Sequence, residues 1–271
     1  MNLTDDYAIG THVEGSDRYP PMWTAAAAAF VSGQQALGRA RMGQPYGAGA
    51  REGFDLFLPE GTPAGVMVFV HGGYWRNFDR ASWSHLAAGA LGRGWAMAMP
   101  SYDLCPAVRV SQITRQVAAA VTAIAEMVPG PVALTGHSAG GHLVARMLAP
   151  GMLDAQVAAR LVSVVPIAPL TDLRPLLHTD MNADLRLTPD EADAESPVLQ
   201  PRPAVPVTIW VGADERPALL EQARWLAEAW DAARVIVPDR HHFDVIDALA
   251  DPDSDLVAAL LGPRRDPLPS A

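Results

Sequence analysis

Gly136-His137-Ser138-Ala139-Gly140 sets a serine between two glycines. The apolar run Val132-Ala133-Leu134-Thr135 precedes it, and a helical pattern carried by Leu143, Val144, Met147 and Leu148 follows. A strand, a sharp turn and a helix in that order hold a hydroxyl clear of the backbone, where it can attack an acyl carbon. A serine hydroxyl is a weak nucleophile until it is held exposed and a base takes its proton. The turn needs small residues two before and two after Ser138, and Gly136 and Gly140 meet that need. The N–H of Ala139, at the start of the helix, then points where a carbonyl oxygen gains charge.

Such a serine requires a base, an acid to orient the base, and donors for the oxyanion. On a parallel sheet these groups sit on loops after the C-terminal ends of strands. His241-His242 follows the strand-like Val235-Ile236-Val237 and supplies the base. Asp214-Glu215 follows Ile209-Trp210-Val211 and supplies the acid. His71-Gly72-Gly73-Tyr74-Trp75 follows Val66 to Val70 and supplies a glycine-rich donor turn. The residues alone leave each pair open. His71 and His137 abut glycine turns and are expected to make structural hydrogen bonds. His142 is expected to pack or to line the site, and Cys105 to be a small buried residue.

The elements that must hold these groups follow from periodicity. Gly65 to Val70, Trp95 to Met99, Leu161 to Ile167, Val207 to Val211 and Arg234 to Val237 are apolar runs of strand length. Gly53 to Pro59 alternates apolar and polar letters and predicts a half-exposed strand. Helices are expected over about 21–42, 81–92 and 217–231, and from Val110, where Ile113, Val117, Val121 and Ile124 share one face. A helical region is also expected at the C-terminus. Strands alternating with helices predict an α/β fold with a mainly parallel sheet flanked by helices. Residues 1–45 read as an N-terminal arm and helix, with Trp23 and Phe30 as anchors. Residues of about 170–203, rich in Pro, Asp and Leu, read as a small cap inserted in a single domain of 1–271.

The 271 residues are 49% hydrophobic and 18% charged, which suits one domain with a substantial core. The formal net charge is −10, and all 20 basic residues are arginine. An acidic chain whose one basic doublet is Arg264-Arg265 argues against nucleic-acid binding. A single cysteine rules out an intrachain disulfide or a cysteine-based metal site, and cytoplasmic residence is the simple expectation. The first residues lack the basic start and apolar core of a signal peptide. The alanine-rich stretch from Thr24 to Val31 is too short to span a bilayer. No His-Glu-x-x-His occurs, and the expectation is no metal, no organic cofactor and no membrane partner, with a small-molecule substrate and a homodimer left open as the assembly.

Together these residues resemble the kynurenine formamidase (arylformamidase) group of α/β-hydrolases. The resemblance rests on His71-Gly72-Gly73-Tyr74-Trp75, an HGGxW turn in which Trp75 replaces the third glycine usual in wider esterases. It extends through Gly136-His137-Ser138-Ala139-Gly140 with His142-Leu143, Ser101-Tyr102, Asp172-Leu173, Ser196-Pro197 and His242-Phe243-Asp244. The order Ser…acid…His is that of the same fold. The resemblance implies Ser138 as nucleophile, His242 as base because phenylalanine follows it, and Glu215 as acid because Pro217 and Gln222 stand at the family's spacing. The Gly-x-Asp pattern of general esterases points instead to Asp214. The implied oxyanion donors are the N–H groups of Gly73 and Tyr74, beside Ala139. Trp75 and Tyr102 are expected to line the substrate pocket. The implied reaction is hydrolysis of a small aryl formamide such as N-formylkynurenine, in tryptophan catabolism. A carboxylesterase or small amide or carbamate hydrolase uses the same residues, and a non-catalytic binding homologue is the remote alternative.

Overall fold

Val66-Met67-Val68-Phe69-Val70 illustrates how the sequence builds two cores from one sheet. Successive side chains of a strand point to opposite faces. Val66, Val68 and Val70 join one apolar cluster, and Met67 and Phe69 join another on the far side. Ala96 and Ala98 divide from Met97 and Met99 in the same way. A strand apolar on both faces must be covered on both, so helices pack on each.

The computed structural model describes residues 2–264, so Arg265 of the basic doublet lies outside the described residues. In chain order the elements are α1 (Tyr19–Ala36), β1 (Ala40–Pro45), β2 (Gly53–Phe57), β3 (Val66–Val70), α2 (Ala87–Gly92) and β4 (Ala96–Pro100). Then come α3 (Val110–Met127), β5 (Val132–His137), α4 (Ala139–Arg146), α5 (Ala155–Ala158) and β6 (Leu161–Ile167). After these follow α6 (Asn182–Leu185), α7 (Pro189–Glu195), β7 (Thr208–Gly212), α8 (Pro217–Trp230), β8 (Ala233–Val237) and α9 (Asp255–Leu261). The sheet has eight strands in the order β1-β2-β4-β3-β5-β6-β7-β8. The β1–β2 and β2–β4 pairs are antiparallel, and the remaining pairs are parallel. Helix α3 puts Ile113, Val117, Val121 and Ile124 into one core, while α1 and α9 put Trp23, Leu256 and Leu260 into the other. Among the described residues no helix is long and apolar enough to cross a membrane.

Three local expectations differ. The helix read over 21–42 ends at Ala36; Gly38 takes a left-handed φ of +66°, and residues 40–45 form the edge strand β1. Its alternating half-exposed letters carry Arg41, Gly43 and Gln44, too polar to register as a strand. Residues 81–92 are two single 3₁₀ turns before the short α2, not one helix. The strand at Gly53 is buried throughout rather than half exposed. Its polar letter, Asp55, is 3% exposed and is satisfied inside: it accepts hydrogen bonds from Arg80 Nε at 2.9 Å and from the Gly43 N–H at 2.7 Å.

The segment between β6 and β7 carries α6 and α7 and sits on α3 and α4 through Glu195. That carboxylate accepts from Thr114 Oγ1 at 2.6 Å and pairs with Arg146 Nε at 3.1 Å, both side chains being buried. His142 Nε2 donates to the Glu195 carbonyl at 2.7 Å. The N-terminal arm crosses over this segment. Leu3 N–H donates to the His178 carbonyl at 2.9 Å, and Asp180 N–H donates to Thr4 Oγ1 at 2.8 Å.

Asp55→Ala removes the carboxylate from two donors that have no other internal partner of that charge. The Arg80 side chain keeps about a quarter of its surface exposed and can rehydrate in part. A loss of roughly 1–3 kcal/mol in unfolding free energy is expected, measured by urea unfolding at pH 7.

Candidate active site

The serine turn is set by backbone contact. A Cβ on Gly140 would fall 1.9 Å from the Val70 carbonyl oxygen, and one on Gly136 would fall 2.3 Å from the Gly140 carbonyl oxygen. Only glycine fits at either place. Ser138 itself takes φ 57°, ψ −116°, a region that strains a residue with a side chain by about 1–3 kcal/mol. Its N–H donates to the Ile167 carbonyl at 2.8 Å, and its own carbonyl accepts from His142 N–H at 3.0 Å to start α4.

The donor turn lies directly against it. A Cβ on Gly72 would sit 3.1 Å from Ser138 Cβ. Gly73, Tyr74 and Trp75 follow with φ of 107°, 49° and 55°. Among the described residues the Gly73 and Tyr74 N–H groups donate to no protein oxygen, and Ala139, first in α4, lies ahead of the helix's own ladder. Three unpaired donors thus flank Ser138. The turn is held from behind and above. His71 Nδ1 donates to the Gly72 carbonyl at 2.8 Å, and its ring stacks on Tyr102 at 4.3 Å. Tyr102 OH donates to the His71 carbonyl at 2.8 Å, and Tyr74 OH donates to the Tyr7 carbonyl at 2.8 Å.

The residues expected as base and acid meet at the ends of β7 and β8. His242 Nδ1 donates to the Glu215 carboxylate, 2.9 Å from Oε1 and 3.0 Å from Oε2, with side chains 4% and 0% exposed. Asp214 points to solvent, and its N–H donates to the Arg240 carbonyl at 2.9 Å. The two loops approach closely because Gly212 has no side chain; a Cβ there would fall 2.2 Å from the Arg240 carbonyl oxygen. His241 turns the other way, its Nε2 lying 3.0 Å from Tyr19 OH. Gln222 on α8 ties the loop after β6 to the N-terminal arm. Its Oε1 accepts from the N–H groups of Thr171 and Asp172, each at 2.7 Å, and its Nε2 donates to Tyr7 OH at 2.9 Å.

Ser138 and His242 line one cavity of about 180 Å³. Gly72, Gly73 and Tyr74 form its floor beside His137, and Trp23, Phe78, Trp83 and Phe243 form an aromatic wall, with Ile9 and Pro20 closing one side. Among the described residues Ser138 Oγ makes no protein hydrogen bond, a spacing common before substrate binds. Burial, and next to it the His242 ring 4.5 Å away, push the His137 pKa well down. Burial lowers His71 and His142 to about 4. It also raises the Cys105 thiol to about 11. Among the described residues no three His, Cys, Asp or Glu side chains are grouped to hold a metal ion.

Trp75 and Tyr102 do not line this cavity. Both are 0% exposed and lie behind the donor turn, Trp75 edge-on to His142 at 5.0 Å between ring centres. Tyr102 supports the turn from the core side through its bond to the His71 carbonyl. The aromatic wall comes from α1, the loop after β3 and the loop after β8, all far from the serine in sequence. The alanine-rich run around Trp23 gives a tryptophan there the look of a plain anchor, and nothing in the local pattern separates anchor from wall.

A strained serine turn, a donor turn pressed against it and a carboxylate–imidazole pair on the ends of parallel strands define an enzyme of the α/β-hydrolase class. The chain belongs to that family: the family model for the α/β hydrolase fold matches residues 67–242. Kynurenine formamidases are among its relatives. That of Drosophila melanogaster is 30% identical over 232 residues, 78% of this chain and 77% of the relative. That of Salmo salar is 27% identical over 243 residues, 83% and 82% of the two chains. A crystal structure from Silicibacter sp., described provisionally as a thioesterase, is 59% identical with a TM-score of 0.94, covering 96% of this chain and 99% of that one. An esterase of Pyrobaculum calidifontis shares the fold at a TM-score of 0.65 and 16% identity, with 90% of each chain covered.

Glu215→Gln should lower kcat at least about a hundredfold, since the orienting acid fixes the tautomer of the base and stabilises its charged form. Asp214→Asn should stay within about tenfold. Steady-state rates on one substrate rank the two, and the reverse order would move the role to Asp214.

His71, His137 and His142 stay neutral when folded, whereas their unfolded forms take protons below about 6.5. Their contribution to stability is complete above that value and is lost as pH falls from about 6.5 toward 4. Unfolding free energy should therefore drop by at least about 2 kcal/mol between pH 7 and pH 5 in denaturant titrations. A flat profile would contradict three buried neutral rings.

Proposed function

We propose that this hydrolase cleaves small aryl formamides with Ser138 as nucleophile, His242 as base and Glu215 as orienting acid. The observation that carries the reading is the cavity: Ser138 and His242 open onto an aromatic-walled space of about 180 Å³. An apolar cavity of on the order of 150 Å³ accepts one benzene-sized ring. The relatives named kynurenine formamidase support the same substrate class.

With Nδ1–H committed to Glu215, Nε2 of His242 is left to accept the Ser138 proton. Ser138 Oγ bonds to the formyl carbon, and the carbonyl oxygen gains charge facing the N–H groups of Gly73, Tyr74 and Ala139. His242 returns its proton to the arylamine nitrogen as the C–N bond breaks. Water then attacks the formyl-serine as His242 takes its proton; the Oγ–C bond breaks, His242 returns the proton to Ser138 Oγ, and formate leaves. An arylamine is weakly basic, so its expulsion needs less assistance than that of an alkylamine.

The 59% identical Silicibacter protein, described as a thioesterase, favours a second reading in which the same residues hydrolyse a thioester or ester. A thiolate or phenolate leaves more easily than an amine, so one site can serve either bond.

A panel of formanilide, N-formylkynurenine, short p-nitrophenyl esters and an aryl thioester, compared by kcat/KM, separates the two. Formamide turnover supports the first reading; ester or thioester turnover with no formamide turnover supports the second. Ser138→Ala should fold normally and lose about 10⁴–10⁶ in kcat on whichever substrate is used. A variant keeping a tenth of the rate would remove Ser138 from the reaction.

A further inference from the structure

The cavity at Ser138 offers no charged partner to a ligand. None of its fourteen lining residues is Arg, Asp or Glu, and the chain contains no lysine. Of the arginines that flank the lining segments in sequence, Arg76, Arg80, Arg216 and Arg240 are paired with Asp184, Asp55, Asp5 and Asp244, and Arg18 is exposed and does not line the cavity. Glu215 is closed off behind His242, its side chain 0% exposed. The walls are flat and apolar. Trp23 meets Trp83 at 4.7 Å and Phe243 at 5.6 Å between ring centres, and Phe78 meets Trp83 edge-on at 5.6 Å.

A carboxylate brought into such a space loses its hydration and finds no counter-ion. An anion is also repelled on approach by a protein of net charge −10. We infer that the site takes uncharged aryl groups and selects against a negative charge carried on or beside the ring. The amino-acid end of N-formylkynurenine therefore stays in solvent at the mouth and adds nothing to recognition. The inference rests on the proposal that Ser138 is the reacting group of this cavity.

A matched pair tests it: 3-formamidobenzamide and 3-formamidobenzoate differ chiefly in one negative charge. With the Ser138→Ala protein, which binds without turnover, calorimetric titration should give the benzamide a Kd at least about tenfold lower. With the active enzyme the same ratio or more should appear in kcat/KM, mostly as a rise in KM for the benzoate. Equal affinities, or tighter binding of the benzoate, would overturn the inference whatever the reaction is. If neither formamide is hydrolysed but 3-acetoxybenzamide is, the formamide reading fails, and the ranking against 3-acetoxybenzoate decides the charge question separately. Phe78 lines the cavity at 37% exposure, so a cation is tolerated there. Phe78→Arg should shrink the preference for the uncharged partner at least threefold, and an unchanged ratio would place its origin outside the cavity.

Discussion

The contact of Gly140 with the carbonyl of Val70 governs this molecule. Backbone lies on backbone there, with no room for a methyl group. That approach fixes how far the serine turn stands from the end of β3, and so from the donor turn that continues β3. Gly72 repeats the device one step on, against His137 and Ser138. The strained angles at Ser138 persist because β5, β6 and α4 leave the chain no other path. The large apolar sheet, with side chains shared between two cores, is what makes such a constraint affordable.

Much of this was legible in sequence, for a physical reason. A close backbone approach demands glycine, and glycine at fixed offsets from a serine is visible in one chain. The runs that became β3, β4, β5 and β6 were legible because strands buried on both faces leave unbroken apolar stretches. The acid was not settled by pattern alone. Asp214 and Glu215 both follow β7, and only the folded chain shows that Glu215 turns inward to His242 while Asp214 is exposed.

What sequence missed has a common cause. Asp55 looked like an outward polar letter because its partner Arg80 lies 25 positions on. Trp75 looked like a pocket residue because it adjoins the donor turn in the chain, and Tyr102 because it belongs to the family resemblance, yet both are fully buried on the core side of that turn. The true wall, Trp23, Phe78, Trp83 and Phe243, is assembled from three separate segments. Each error came from a contact between residues distant in sequence, which no local periodicity records. The edge strand β1 escaped notice for a different reason: a strand with one paired side needs little apolar character.

Tyr7 spans the molecule in one respect that bears on how it forms. Its hydroxyl meets Gln222, 215 residues away, and its carbonyl meets Tyr74. Leu3 and Thr4 meet His178 and Asp180. The arm thus takes its partners from segments spread along the chain, Tyr74, His178, Asp180 and Gln222. Ile9, which closes one side of the cavity, is carried on that arm. Contacts of such long sequence separation form late in folding, so this side of the cavity closes only after the distant segments have taken their places.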